Sequence, residues 1–114
     1  MNWIPLTSEE QLTAIISKSY SAPQLIYKHS TRCATSSVAL SRLERAASPA
    51  AQVDFYFLDL IAHRALSHKI AADFNVYHES PQVLLIKNGE CVYDESHMGI
   101  SMNEIAEHVE SSGV

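Results

Sequence analysis

Cys33 is the residue of this chain with the clearest capacity for chemistry. It follows an apolar run at residues 24–28 and precedes a stretch with helical spacing, so we expect it at the start of a helix. Unpaired backbone N–H groups and the positive end of the helix dipole converge there, and both favour the nucleophilic thiolate. The adjacent Arg32 adds a permanent positive charge. We therefore predict that Cys33 attacks disulfides.

The fourth position of this motif is a serine. In Cys33-Ala34-Thr35-Ser36, the hydroxyl of Ser36 stands where a dithiol enzyme would carry its second cysteine. One helical turn from Cys33, that hydroxyl is expected to donate a hydrogen bond to the sulfur, but it cannot resolve a disulfide. The motif therefore predicts a one-thiol mechanism in which Arg32 and Ser36 are supporting residues.

The composition restricts the class of protein. The 114 residues are 46% apolar and 18% charged, which indicates one globular domain spanning 1–114. The net charge of −5, without a run of lysine or arginine, argues against nucleic acid as a partner. No apolar run approaches the ~20 residues that span a bilayer, so no membrane partner is expected. The first residues lack the basic flank of a signal peptide, and two cysteines form no disulfide framework. A cytoplasmic protein with reduced thiols is expected.

Hydrophobic periodicity and turn residues place Cys33 within an ordered series of elements. The predicted elements are a helix with Thr7 as N-cap and Glu10 in a capping box, a strand at 24–28, a helix from Ala34 to Ala47, a strand at 53–58, a helix at about 63–74, two strands at 82–87 and 90–94 around Asn88-Gly89, and a helix opening at the capping box Ser101-x-x-Glu104.

This order predicts an α/β domain with a four-stranded mixed sheet flanked by helices. Two strands joined by a crossover helix lie parallel in one sheet, and the connection between them is right-handed. The hairpin adds an antiparallel edge. The order matches a thioredoxin-like fold, in which Cys33 would begin the second helix. Pro81 opens a later strand, where a proline loses no hydrogen bond of the ladder.

Several strings of the chain resemble those of the YtxJ-like family, the monothiol bacilliredoxins. They are Lys28-His29-Ser30-Thr31-Arg32-Cys33, Tyr77-His78-Glu79-Ser80-Pro81-Gln82-Val83, Asp59-Leu60 with His63-Arg64-x-Leu66-Ser67, Asn88-Gly89-Glu90 and Ser96-His97. The resemblance covers nearly the whole chain and implies a thioredoxin-like fold. Members of the family are implicated in removing bacillithiol, a low-molecular-weight thiol, from protein mixed disulfides.

The resemblance also implies roles for individual residues. Cys33 would be the nucleophile, and Pro81 would be a cis-proline against its sulfur. The backbone of Ser80 would pair with an extended thiol ligand. S-thiolated client proteins would be the partners, with a small thiol such as bacillithiol as co-substrate and no other cofactor. The family usually has Cys-Pro-Ile-Ser, whereas this chain has Ala34 in place of the proline. The backbone N–H of Ala34 is therefore free to face the sulfur. A small thiol other than bacillithiol remains open as the co-substrate.

Three histidines are candidate substrate contacts. His29 ends the strand before Cys33, where packing or hydrogen bonding is the alternative role, and His78 and His97 would fall near the rim of the site in this fold. The six histidines of the chain show no metal-ligand spacing, so no metal site is predicted.

Cys91 is predicted to be inert. Across the Asn88-Gly89 turn it would lie opposite Ile86, and it would be roughly 16 Å along a strand from Pro81. A disulfide requires Cα atoms within about 7 Å, so Cys91 cannot resolve a disulfide at Cys33.

Two further functions fit the same elements. The first is a non-catalytic thioredoxin-like interaction module that binds partners through the groove beside Pro81, and an unreactive Cys33 would favour it. The second is iron–sulfur carriage with an external thiol completing the ligands, and colour in anaerobically purified protein would favour that. The leading interpretation remains a monothiol thiol-disulfide oxidoreductase.

Overall fold

Five strands form one mixed sheet in the computed structural model, which describes residues 2–46 and 52–111. Parallel and antiparallel pairs occur together, in the strand order β1-β3-β2-β4-β5. The elements are β1 (Trp3–Pro5), α1 (Glu9–Lys18), β2 (Gln24–His29), α2 (Ala34–Arg45), β3 (Asp54–Asp59), α3 (Arg64–Phe74), β4 (Gln82–Lys87), β5 (Glu90–Ser96), a 3₁₀ turn (His97–Gly99) and α4 (Met102–Glu110).

The α/β class and the mixed sheet are confirmed, but the predicted count of four strands was wrong. The additional strand is β1, which pairs in parallel with β3 at the edge of the sheet. It has three residues and includes Pro5, so it carries neither the alternation nor the length by which a strand is recognised. Its indole at Trp3 packs against the rings of Phe55 and Phe57, a contact between distant parts of the chain.

The pairing of β2 with its neighbours brings the predicted site residues to one edge of the sheet. β2 is parallel to β3 and antiparallel to β4, and Lys28 pairs with Gln82. The carboxyl end of β2 therefore lies beside the amino end of β4. The loop to Cys33 leaves from the first of these ends, and Pro81 enters at the second.

The sheet divides the core into two clusters, and a pair of helices covers each of its sides. Alternate residues of β2 point to opposite sides, because successive side chains of a strand do so. The α2/α4 side contains Leu25, Tyr27, Leu43, Leu85 and Ile105, and the α1/α3 side contains Leu12, Ile15, Ile26, Ile70 and Leu84. Within residues 2–46 and 52–111, every helix is too short or too polar to cross a membrane.

The predicted starts of two helices need correction. The N-cap of α1 is Ser8, not Thr7, and its Oγ accepts a hydrogen bond from the N–H of Gln11. The N-cap of α4 is Ser101, as predicted, but the predicted capping box is not formed: the side chain of Ser101 makes no cap bond, and the carboxylate of Glu104 accepts the hydroxyl proton of Tyr93. Helix α2 ends at Arg45, and the predicted last residue, Ala47, lies outside the described residues.

The hairpin between β4 and β5 turns at Asn88 and Gly89. Both residues have positive φ, at 53° and 78°, as a tight turn of this hand requires. A Cβ at Gly89 would meet the hydroxyl of Tyr20, so close packing also favours glycine there. Cys91 pairs with Ile86, which confirms its predicted position.

Candidate active site

Cys33 occupies the N-cap position of α2, where the sequence predicted it. Its backbone is extended, with φ −115° and ψ 117°, and its carbonyl accepts the N–H of Ser37 as the first helical bond. Its own N–H donates to the carbonyl of Ser30 at 3.2 Å, which closes a tight turn between β2 and α2. The residue is partly exposed.

The first turn of α2 leaves its amides available to the sulfur. Among the described residues no side chain caps this helix start, and the first turn contains no acidic residue. Ala34 is the first helical residue and, unlike a proline, it presents an N–H there. Arg32 is exposed beside Cys33. This arrangement favours negative charge at the helix start, which is where a thiolate at Cys33 would lie.

The hydrogen-bond partners of Ser36 differ from the one that was predicted. It is fully buried, and its Oγ accepts the N–H of Ser30 at 3.0 Å and shares a hydrogen bond of 2.9 Å with Nδ1 of His29. The hydroxyl of Tyr27 lies 3.4 Å away. No hydrogen bond to Cys33 is among the contacts described for this hydroxyl. Its position on the inner face of α2 turns it toward β2, so it supports the loop beneath Cys33 rather than the sulfur.

Tyr27 was missed by the sequence reasoning. Its hydroxyl donates to the carbonyl of Ser36 at 2.7 Å and so ties the first turn of α2 to β2. Burial raises the pKa of Tyr27, and negative charge at Cys33 raises it further, which places this phenol in the electrostatic field of the sulfur. The available signal was a hydroxyl that follows the apolar pair Leu25-Ile26 within a strand.

His29 packs under the site and does not face solvent. It is buried, its ring centroid lies 5.2 Å from that of Phe57, and its Nδ1 is engaged with Ser36. Burial lowers the pKa of His29, while the carboxylates of Asp59 and Glu44 oppose that effect. Of the two roles considered for His29, the geometry therefore supports packing and hydrogen bonding.

Replacing Ser36 with alanine should destabilise the fold by about 1–3 kcal/mol, since the buried N–H of Ser30 and the ring nitrogen of His29 would lose their partner. Urea denaturation measures this loss. The matched control is Ser37→Ala, because Ser37 is exposed on the same turn and its replacement should change stability by no more than ~0.5 kcal/mol. Equal effects of the two substitutions would contradict the assigned hydrogen bonds.

The lowered pKa of His29 predicts a loss of stability in acid. The ordinary value, 6.5, applies to the unfolded chain, so below that pH the unfolded state binds a proton more readily than the native state. The stability that the neutral ring of His29 contributes is therefore fully present above pH 6.5, and it is lost as the pH falls through the lowered native pKa. Urea denaturation of wild type and His29→Asn should show a steeper acid decline in wild type, because asparagine can keep the bond to Ser36 but cannot titrate. Equal declines would refute this.

The segment 77–81 forms the other side of the site. The peptide bond between Ser80 and Pro81 is cis, and Pro81 is buried. The carbonyl of Pro81 accepts the N–H of His97 at 3.0 Å, and Nε2 of His97 lies 2.9 Å from Oε1 of Glu79. His97 therefore contacts this segment twice, from the 3₁₀ turn after β5, and its ring remains at the surface.

Gln82 holds the same segment from β4. Its Nε2 donates to the carbonyl of Tyr77 at 2.8 Å, and its Oε1 accepts the N–H of Glu79 at 3.4 Å. The side-chain oxygen of Ser80 is buried and has no hydrogen-bond partner among the described residues. Gln82 is a residue to which the sequence pattern assigned no role.

His78 contacts the end of β2 and helix α3. Its Nδ1 lies 3.2 Å from Nζ of Lys28 and 3.4 Å from Oγ of Ser67. Burial and the charge of Lys28 lower the pKa of His78. Lys28 is fully buried and was another residue that the sequence reasoning assigned no role; its signal was a lysine within a strand buried along its whole length.

Cys91 lies away from this site. It packs against the α1/α3 side of the sheet, whereas α2 packs on the opposite side. Its Sγ lies 3.4 Å from the carbonyl of Tyr93, and burial raises the pKa of Cys91 to about 11. A thiol with that pKa is almost entirely protonated near neutral pH.

Known proteins share this architecture. The family model described as monothiol bacilliredoxin BrxC matches residues 4–105. A solved structure described as a candidate oxidoreductase with a thioredoxin fold is 32% identical, with a TM-score of 0.76, over 91% of this chain and 90% of that chain. Thioredoxin f from spinach chloroplasts gives a TM-score of 0.74 at 13% identity, over 96% of this chain and 88% of that chain.

Thioredoxin from Malassezia sympodialis gives a TM-score of 0.73 at 13% identity, over 95% of this chain and 88% of that chain. At this identity the two thioredoxins show the fold alone. The predicted thioredoxin-like fold is therefore confirmed.

Proposed function

Because the chain belongs to the monothiol bacilliredoxin family, which its sequence resembles, we propose that it removes a low-molecular-weight thiol from protein mixed disulfides through Cys33. The observation that carries this proposal is the position of Cys33. It is a partly exposed thiol at an uncapped helix start, while the other cysteine of the chain packs on the opposite side of the sheet.

The first step is a thiol-disulfide exchange. The Cys33 thiolate attacks the small-thiol sulfur of the mixed disulfide, the disulfide S–S bond breaks, and the client leaves as a thiolate that keeps its own sulfur. Cys33 then carries the small thiol as a mixed disulfide. Cys33 is oxidised as the client cysteine is reduced, so the exchange of one disulfide for another needs no external oxidant or reductant.

The second step regenerates Cys33. A second small-thiol thiolate attacks the sulfur of the bound thiol, forming a symmetrical small disulfide and releasing the Cys33 thiolate. Ser36 cannot take this role, since its oxygen forms no disulfide and its hydroxyl is engaged in the interior. The external thiol is therefore a co-substrate, and bacillithiol is the one that the family suggests.

The segment before β4 is the proposed binding surface for the extended part of the substrate. Among the described hydrogen bonds, none engages the backbone N–H or carbonyl of Ser80, so both remain able to pair with a ligand. Pro81 follows directly and is buried at the same sheet edge as the Cys33 loop. We propose that the protein acts in the cytoplasm, where small thiols are kept reduced and its own thiols persist.

Intact mass measurement tests the function. The protein is treated separately with bacillithiol disulfide, glutathione disulfide and cystine, and then offered a client protein S-thiolated with each thiol. We expect one adduct per chain, at Cys33, and release of the small thiol from the client. The thiol that reacts fastest identifies the co-substrate. A chain that takes no adduct and releases no thiol would refute the proposal and favour a binding module.

A further inference from the structure

Lys28 is a buried cation without a described carboxylate partner. The residue has no exposed surface, and the ion pairs found among residues 2–46 and 52–111 do not include it. Its ammonium instead donates to the carbonyl of Ser67 at 3.1 Å and to Nδ1 of His78 at 3.2 Å. Burying an ammonium is costly, so an apolar residue would be the ordinary choice at this place in a strand.

The two final residues of β2 reach the two halves of the site from opposite sides of the sheet. His29 points to the α2 side and bonds Ser36 beneath the Cys33 loop. Lys28 points to the α3 side and bonds His78, three residues before Pro81. One short stretch of backbone therefore anchors both the nucleophile and the segment 77–81.

The contacts that Glu79 and Gln82 make in segment 77–81 are exposed or neutral, whereas that of Lys28 is buried and charged. The pair between His97 and Glu79 is exposed, where ion pairs contribute little. Gln82 holds the backbone of Tyr77 and Glu79 with neutral hydrogen bonds. Lys28 supplies the buried, charge-assisted bond, which is the stronger type.

We infer that Lys28 is a positioning residue, which holds segment 77–81 in the conformation that presents the Ser80 backbone to an extended disulfide substrate. The inference rests on the proposed function and adds a residue to it. It predicts that loss of Lys28 weakens the binding of a client more than it changes the chemistry at Cys33.

The electrostatic surroundings agree with a donor at this position. Burial lowers the pKa of Lys28 to about 8, so near neutral pH the ammonium form that donates to His78 still predominates. From α3, His68 faces the same imidazole, with ring centroids 5.3 Å apart, and Glu79 in the segment itself opposes the positive charges. With the Lys28 ammonium as donor, Nδ1 of His78 is the acceptor of this bond.

The test compares Lys28→Met with Lys87→Met. Methionine keeps an apolar stem and removes the donor. Lys87 is the matched control, because it is also nearly buried at a strand end and donates to two carbonyls, those of His108 and Ser111, at the far end of β4. Both variants should lose stability, which urea denaturation measures, but only Lys28→Met should affect segment 77–81.

Steady-state kinetics supply the first readout. With a client peptide S-thiolated by the thiol that wild type uses, Lys28→Met should raise KM about tenfold with little change in kcat, since the loss of one charge-assisted hydrogen bond corresponds to about that factor. Its rate of alkylation by iodoacetamide at Cys33 should match wild type, because this reagent needs no backbone pairing. Lys87→Met should keep the KM of wild type. An unchanged KM in Lys28→Met, or an equal rise in Lys87→Met, would overturn the inference.

Hydrogen exchange supplies a readout that needs no substrate. The amide of Glu79, which donates to Gln82, and that of His97, which donates to the carbonyl of Pro81, should exchange about tenfold faster in Lys28→Met and at the wild-type rate in Lys87→Met. If wild type releases no thiol from any client, the proposed function fails. Hydrogen exchange still tests whether Lys28 holds segment 77–81, because it needs no substrate. If Lys28→Met does not fold, His78→Leu removes the acceptor instead and should produce the same local exchange and the same KM shift. Wild-type exchange in that variant would refute the role of the pair.

Discussion

Replacing Cys33 with serine should reduce adduct formation and thiol release to background, whereas Cys91→Ser should keep both. A hydroxyl at position 33 is not ionised near neutral pH and forms no disulfide. The structure separates the two thiols by environment: Cys33 lies at an uncapped helix start, while Cys91 is packed on the other side of the sheet. The measurement is intact mass after exposure to a small-thiol disulfide.

Alkylation rates give the same comparison on a continuous scale. With a pKa of about 11, Cys91 has roughly one thiolate in 10⁴ molecules at pH 7. A more basic thiolate is intrinsically more nucleophilic, which recovers part of this difference. We therefore expect the Cys91→Ser chain, which retains Cys33, to react with iodoacetamide at least about tenfold faster than the Cys33→Ser chain. Equal rates, or a faster reaction at Cys91, would refute the assignment of the nucleophile.

Replacing Ser36 with cysteine should convert the one-thiol site into a dithiol site. Residues three apart at a helix start have Cβ atoms about 5–6 Å apart, a separation from which small rotations allow a disulfide. Wild type treated with a small-thiol disulfide should gain the mass of one adduct. The Ser36→Cys chain should instead lose two hydrogens, because the new thiol attacks Cys33 and expels the small thiol.

The control for this conversion is Thr35→Cys. Position 35 lies two residues from Cys33 and does not face it, so this variant should take an adduct rather than close a disulfide. The reduced Ser36→Cys chain should also be less stable than wild type by about 1–3 kcal/mol, since it loses the hydrogen bonds of Ser36 to His29 and Ser30. A wild-type chain that loses two hydrogens would show a bond between Cys33 and Cys91 and would make Cys91 catalytic.

Local patterns were sufficient for every helix, for four of the five strands and for the place of Cys33. An apolar run followed by helical spacing located the junction of β2 and α2, and Asn88-Gly89 located the hairpin and set Cys91 opposite Ile86. These features depend on residues close together in the chain, where periodicity and turn chemistry act directly. The strand β1 was missed for the opposite reason, because three residues carry no period and their strand is made by pairing with β3.

The partners of the polar side chains were decided only by the tertiary structure. From its spacing, Ser36 could donate to Cys33 one turn away, but helix packing turned its hydroxyl inward to His29. In the sequence, Lys28 is the polar end of an apolar run. In the structure, β2 pairs antiparallel with β4, and Lys28 contacts His78. The sequence by itself determined which cysteine begins a helix and which elements carry it. Which side chains hold the Cys33 loop and segment 77–81 depends on hydrogen bonds between residues up to 50 apart in the chain, and only the packed sheet brings such residues together.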